Sequence, residues 1–198
     1  MHGTMKPISI RLLGHSILTG PNRGGKSTAL RAILQNIIMA HTIGAVNARS
    51  ITLTPLGFVH SCLRLEDKPG HASLFEREIE WAVDSLEMAA NQFGFICIDE
   101  LFHGTNPRDS LIASRIYLDK LWARSNIISI VSTHQFDLLD GDGNTINKEI
   151  QYYCCPAFEG DTDNHTLNYM YGLEPGVCRL SSVYDILQEK GLGISALR

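Results

Sequence analysis

The sequence predicts an α/β fold, a mostly parallel sheet with flanking helices and antiparallel strands at its edges. Three observations carry this. Short apolar runs alternate along the chain with segments whose apolar residues recur at helical spacing. The run Phe95-Ile96-Cys97-Ile98 is apolar without alternation, as a central parallel strand covered on both faces must be. A glycine loop, Gly20 to Gly25, lies between an apolar run and a helical one, a strand-to-helix connection.

In chain order, 8–12 and 15–19 read as strands around Gly14, and a helix runs over 26–42 and stops near Gly44. Its apolar positions are Leu30, Ile33, Leu34, Ile37 and Ile38. Strands at 51–54 and 58–65 follow, split by Pro55 and Gly57, and then a polar loop over 66–71. Leu74, Ile79, Val83, Leu86 and Ala90 mark the inward face of a second helix. After the 95–98 strand come a helix over 108–123, a strand over 127–132 and a short helix from Phe136. The runs 150–155 and 167–173 read as a closing hairpin joined by the acidic turn 161–164, and a last helix spans 183–190. No repeat or low-complexity linker interrupts the chain, which reads as one domain over 1–198.

Composition bounds the function. With 44% hydrophobic and 19% charged residues, the chain has the make-up of an ordinary globular domain. A net charge of −4 and no Lys/Arg run give no general attraction to nucleic acid or anionic membranes. No apolar stretch is long enough to span a bilayer, and the N-terminus does not begin a secretion signal. Five cysteines without a C-x-x-C pair or framework spacing suggest reduced thiols in an intracellular compartment, and Cys97 reads as a core residue.

The chemistry starts with Gly20-Pro21-Asn22-Arg23-Gly24-Gly25-Lys26-Ser27-Thr28, which fits the phosphate-binding pattern G-x-x-x-x-G-K-[ST] in its required strand–loop–helix context. Backbone N–H groups of such a loop close around phosphate oxygens, and the helix start adds positive potential. Lys26 is expected to reach the β- and γ-phosphates and Ser27 to complete a Mg2+ shell. The strand ending Ile98-Asp99-Glu100 delivers two carboxylates to the sheet edge where ligands bind in such folds. Asp99 is expected to hold the metal and Glu100 to activate water. Ser132-Thr133-His134 ends the next strand with an imidazole beside the expected γ-phosphate.

In this combination the chain resembles the ATPase domain of the MutS family of DNA mismatch-repair and related proteins. Thr19 to Thr28 matches the family's T-G-P-N-x-G-G-K-S-T loop, and Asp99-Glu100 followed by Gly104-Thr105-Asn106 matches its Asp-Glu strand and G-T-[SN] turn. Ser132-Thr133-His134 matches [ST]-T-H, Ser73-Leu74-Phe75-Glu76-Arg77-Glu78 matches S-x-F-x-x-E, and Tyr171-Gly172-Leu173-Glu174-Pro175-Gly176 looks like its hairpin exit. Asn106-Pro107 is closer to divergent branches of the family.

The resemblance implies a P-loop NTPase fold like that of ABC-type ATPases, ATP with Mg2+ as ligands, and ATP hydrolysis driving changes of dimer and clamp state. It implies composite sites across a homo- or heterodimer formed through the ATPase face. Ser73 would then reach the partner's γ-phosphate, Asn22 would contact phosphate or the attacking water, His134 would sense the γ-phosphate, and the Gly104 turn would link the two sites. On the residues alone, Ser73 is an N-cap whose capping box Glu76 completes, a role compatible with the other. His103 stands where many relatives have Arg, and Tyr184 is a candidate for adenine packing. The family's mismatch-recognition, lever and clamp domains would lie N-terminal to Met1, and DNA would be met only through them. The alternatives are a dimerisation module that binds ATP with negligible hydrolysis and an ABC-type ATPase of another role. Against the latter, Ser73-Leu74-Phe75 occupies the region of an L-S-G-G-Q segment.

Overall fold

The computed structural model describes residues 6–63, 73–139, 150–160 and 167–192. Its elements are β1 (His15–Thr19), α1 (Lys26–Thr42), β2 (Phe58–Cys62), α2 (Leu74–Met88), β3 (Gly94–Asp99), α3 (Pro107–Trp122) and β4 (Ile127–Ser132). A 3-10 turn at Phe136–Leu138 follows, then β5 (Gln151–Cys154), β6 (Ala157–Glu159), β7 (Leu167–Tyr169), β8 (Glu174–Pro175) and α4 (Val183–Glu189). The polar loop 66–71, the acidic turn 161–164 and the end of the strand expected over 58–65 fall outside the described residues.

Six strands form a mostly parallel mixed sheet in the order β2-β3-β4-β1-β5-β8. All neighbours run parallel except β8, which is antiparallel to β5 at the edge. The register sets Asp99 opposite Ser132 and Ser132 opposite Leu18, so three strands end side by side.

Alternation along β3 divides the core in two. Phe95 and Cys97 face Leu30, Ile33, Leu34 and Ile37 of α1, while Ile96 and Ile98 face Ala82 and Ala89 of α2 and Leu118 and Leu121 of α3. Helices thus cover both faces, as a parallel sheet requires. Asp99 continues the odd register, so its carboxylate leaves the sheet on the α1 side.

Four expectations need correction. The segment 8–12 is not a strand. Its apolar residues pack on the α1 side of the core, but its backbone is served by side chains: Gln151 accepts from the Leu13 N–H at 2.8 Å and donates to the Arg11 carbonyl, as Tyr153 does. The segment 51–54 is exposed and irregular and joins neither sheet. The expected hairpin of 150–155 with 167–173 splits: β5 joins the main sheet beside β1, and β7 pairs with β6 in a separate two-stranded ribbon.

The fourth correction is a rotation. The buried positions are Glu78, Ala82 and Ser85 of α2 and its C-cap Ala89, each one residue before the expected Ile79, Val83, Leu86 and Ala90, of which Leu86 still packs half-buried against the core. Ile79 and Val83 are 40% and 48% exposed. One residue is about 100° of helix. Two polar residues decide it. Ser85 bonds the buried Tyr117 hydroxyl at 2.8 Å, and Glu78 meets backbone donors described below. Turned inward, they give partners to the buried Tyr117 hydroxyl and to two backbone N–H groups that would otherwise be left unpaired away from water.

Candidate functional site

The loop after β1 is shaped by local bonds. Gly20 and Gly25 take φ of 143° and 100°, and the Gly24 N–H donates to the Pro21 carbonyl at 3.1 Å. A side chain at Gly20 would also strike Cys155, whose carbonyl would lie 2.9 Å from its Cβ. Asn22 and Arg23 are exposed at the tip, and Arg23, at φ 65°, pairs with Glu189 of α4. Lys26 is buried, and its Nζ donates to the Gly20 and Pro21 carbonyls at 3.0 and 3.1 Å. Burial pushes its pKa down, opposed by the charges of Glu100, Cys155 and Asp99. Ser27 is half-buried and Thr28 exposed in the first turn of α1.

The start of α1 differs from those of α2 and α3. Ser73 and Asn106 cap their helices by accepting from the N–H of Glu76 and Asp109, whereas Gly25 offers α1 no side-chain cap and its first turn has no acid. The leading N–H groups of α1 therefore keep donor capacity for an anion.

At the tip of β3, Ser132 Oγ donates to Asp99 Oδ1 at 2.6 Å and accepts from the Glu100 N–H at 3.1 Å. One buried hydroxyl thus fixes both acidic residues, leaving the second Asp99 oxygen available. Glu100 takes φ 60°, a left-handed conformation that costs a residue with a side chain about 1–2 kcal/mol. His134 Nε2 lies 3.2 Å from Glu100 Oε1, within ion-pairing distance but without hydrogen-bond alignment. The His134 ring is the largest cause holding the Glu100 carboxyl below its ordinary range, with burial opposing and Lys26 and His103 adding.

Lys26, Asp99, Glu100 and His134 therefore share one end of three adjacent strands, with Asp99 and Glu100 felt electrostatically at Lys26. Ser73 is not joined to them. It heads α2, on the opposite sheet face from α1, and completes the capping box with Glu76 at 3.2 and 2.8 Å.

Hard oxygen donors suit Mg2+, which takes one or two protein ligands and completes its shell from phosphate and water. The free Asp99 oxygen and the Ser27 hydroxyl are donors of that kind. Among the described residues, no group of three or more His, Cys, Asp and Glu gathers for a metal. A divalent ion here would depend on a phosphate ligand for the rest of its shell.

The structure adds three positions beside the candidate site. Ser132 was part of a motif, but its double bond to Asp99 and Glu100 depends on register between strands. Glu78, a carboxylate among the apolar positions of α2, is turned inward onto the His103 and Gly104 amides. Tyr171, at φ 49°, is 57% exposed, stacks on Tyr169 with centroids 5.9 Å apart, and lies against Gly25, 3.9 Å from where a Cβ would stand. Its motif is visible in the sequence, but its place beside Gly25 is not. Tyr184 lies on α4, and His103 pairs inside its own chain with Glu78.

The MutS domain V family matches residues 16–193. DNA mismatch repair protein MSH6 of Arabidopsis thaliana is 26% identical over 200 residues, covering 96% of this chain and 15% of that protein. DNA mismatch repair protein MSH3 of the same organism is 26% identical over 187 residues, covering 92% of this chain and 17% of that protein. The chain thus spans 15–17% of the length of these curated relatives.

Proposed function

We propose, from the premise that this chain belongs to the MutS domain V family, that it is a P-loop ATPase domain. It binds ATP with Mg2+ and hydrolyses it to ADP and phosphate, in a protein that serves DNA mismatch repair or related DNA maintenance. The observation that carries this is the convergence of the Lys26 loop, Asp99-Glu100 and His134 at the ends of three neighbouring strands. A buried ammonium at an uncapped helix start suits the phosphate tail, and an ionised carboxylate beside it suits a base.

In this reading Lys26, Asn22 and the loop amides hold the phosphates, while Ser27 and Asp99 hold Mg2+, which would neutralise developing phosphate charge. Glu100 takes a proton from water as its oxygen bonds the γ-phosphorus and the bond to the β-phosphate oxygen breaks. His134, against Glu100, orients that carboxylate and senses the γ-phosphate. Tyr171, an open ring beside Gly25, is better placed for a nucleobase than Tyr184. Ser73 faces away from its own loop, which supports its service to a second copy or a homologous partner, homo- or heterodimeric. DNA is met through domains other than this one, and the protein acts inside the cell.

Turnover of MgATP by the wild-type chain and by Glu100→Gln, with sizing in the presence and absence of ATP, tests the reading. Wild-type turnover that Glu100→Gln loses, with ATP-favoured dimers in both, is expected. Equal background rates in the two would overturn the enzymatic part and leave an ATP-dependent assembly module.

A further inference from the structure

We infer that Glu78 is a positioning residue that clasps the turn bearing Glu100 to the head of the helix bearing Ser73, so that the two move as one body. The inference rests on the nucleotide site proposed above and adds a device by which one site senses the other. Glu78 is 4% exposed, on the inward face of α2. Its Oε1 accepts from the His103 N–H at 3.1 Å and lies 2.7 Å from His103 Nδ1, while Oε2 accepts from the Gly104 N–H at 3.1 Å. Both oxygens are thereby used on one short stretch of chain three and four residues beyond Glu100.

Two further contacts hold the same seam. At Gly104 a Cβ would stand 2.8 Å from Leu74 Cγ and from the Phe75 amide nitrogen, so only glycine lets the turn lie against the first residues of α2. Phe102 packs edge-on against Phe75 of α2 and Tyr117 of α3, at 6.0 and 6.1 Å between centroids. The turn needs such restraint. Glu100 and Phe102 both hold positive φ, 60° and 48°, a conformation that persists only where the surroundings over-determine it. Ser132 secures the strand side of the turn, and Glu78 secures the helix side. Since α2 begins at Ser73, displacement of Ser73 by a second copy's phosphate is passed through this clasp to Glu100.

The requirement is for a carboxylate. Glu78→Gln keeps the shape but presents an NH2 group to one of two backbone N–H donors, so one bond becomes a donor–donor contact. MgATP kinetics of the full chain test the inference. Glu78→Gln should lower kcat by about 10- to 100-fold, the scale of a misplaced catalytic group, with KM within about twofold because the Lys26 loop lies across the sheet. In a Ser73→Ala background the same change should cost distinctly less, since the coupling is already cut. Gly104→Ala, which pries the same seam from its other side, should reproduce the kcat loss if Glu78→Gln proves poorly folded by circular dichroism. Folded Glu78→Gln with wild-type kcat, full additivity with Ser73→Ala, or unfolding of both variants would each overturn the inference. A wild-type chain that neither binds nor turns over MgATP would instead sink the site reading itself.

Discussion

The loop after β1 and the clasp between α2 and the Gly104 turn are built by opposite means. The loop is shaped mainly by near neighbours: Gly24 bonds Pro21 and Lys26 reaches Gly20 and Pro21, all within six residues, and only its tip, at Arg23, pairs with the distant Glu189. The clasp joins residues 25 and 26 apart, and its donors are backbone N–H groups that any sequence would supply. A local site is written in residue types at fixed spacing. A tertiary one is written only in which polar group has to be turned inward. The proposed chemistry needs both, because the loop addresses the phosphates and the clasp stations the carboxylate.

Substitutions separate the two regions. The largest effect belongs to the loop. Lys26→Met should abolish MgATP binding by fluorescence titration, a loss of more than about 100-fold, because no other cation is buried at the start of α1 among the described residues. Stability should change by no more than about 1–2 kcal/mol in urea, since the lost bonds to two carbonyls are offset by removal of a desolvated charge. A severe loss of stability would make Lys26 a structural residue and erase the distinction.

Glu100→Gln comes next. Turnover should fall about 100-fold or more while ATP binding stays near wild type, the pattern of a base lost from an intact loop. Parallel loss of binding would mean that loop and turn are one unit.

Legibility follows the same division. The helix 26–42 stands where its periodicity put it, and 107–122 and 127–132 came within one residue, because each carries its own signal. The parallel core was readable from Phe95 to Ile98, a four-residue apolar run of the kind a strand covered on both faces carries. The face of α2 was not readable. A hydrophobic count prefers Ile79 and Val83, and only the Tyr117 hydroxyl and the Gly104 turn reveal why Glu78 and Ser85 displace them. The strand expected over 8–12 failed for a related reason: the Arg11 carbonyl and the adjoining Leu13 amide found Gln151 and Tyr153 side chains, which alternation cannot foresee. Of the site, the loop, the carboxylates and His134 were visible as motifs, whereas Ser132's double role required the register between β3 and β4.

That double role gives the third substitution. Ser132→Ala leaves the half-buried Glu100 N–H without its acceptor and frees Asp99, so stability should drop by about 1–3 kcal/mol in urea melts. Turnover should fall about 10-fold, less than with Glu100→Gln, because the carboxylates remain and only their anchorage is lost. An unchanged denaturation midpoint would show that the Glu78 side of the turn suffices by itself.

The smallest effect is a titration, and it probes the point where the two regions meet. His134 is the main influence holding the Glu100 carboxyl below its ordinary range, ahead of Lys26 from the loop and His103 from the clasp, with burial acting the other way. A depressed carboxyl pKa means that folding favours the ionised form, so its contribution to stability is present above the ordinary value and is lost as pH falls through the folded one. Glu100 is roughly half exposed, so solvent screens the contribution and thermal melts at neutral pH should not register it. Carboxyl NMR in magnesium-free buffer should. Wild-type Glu100 should titrate below the ordinary glutamate range, His134→Ala should move it upward, and His103→Ala should move it upward by less, in the order of their influence. If His103→Ala shifted it more than His134→Ala, the clasp rather than the neighbouring strand would govern the charge on this carboxylate.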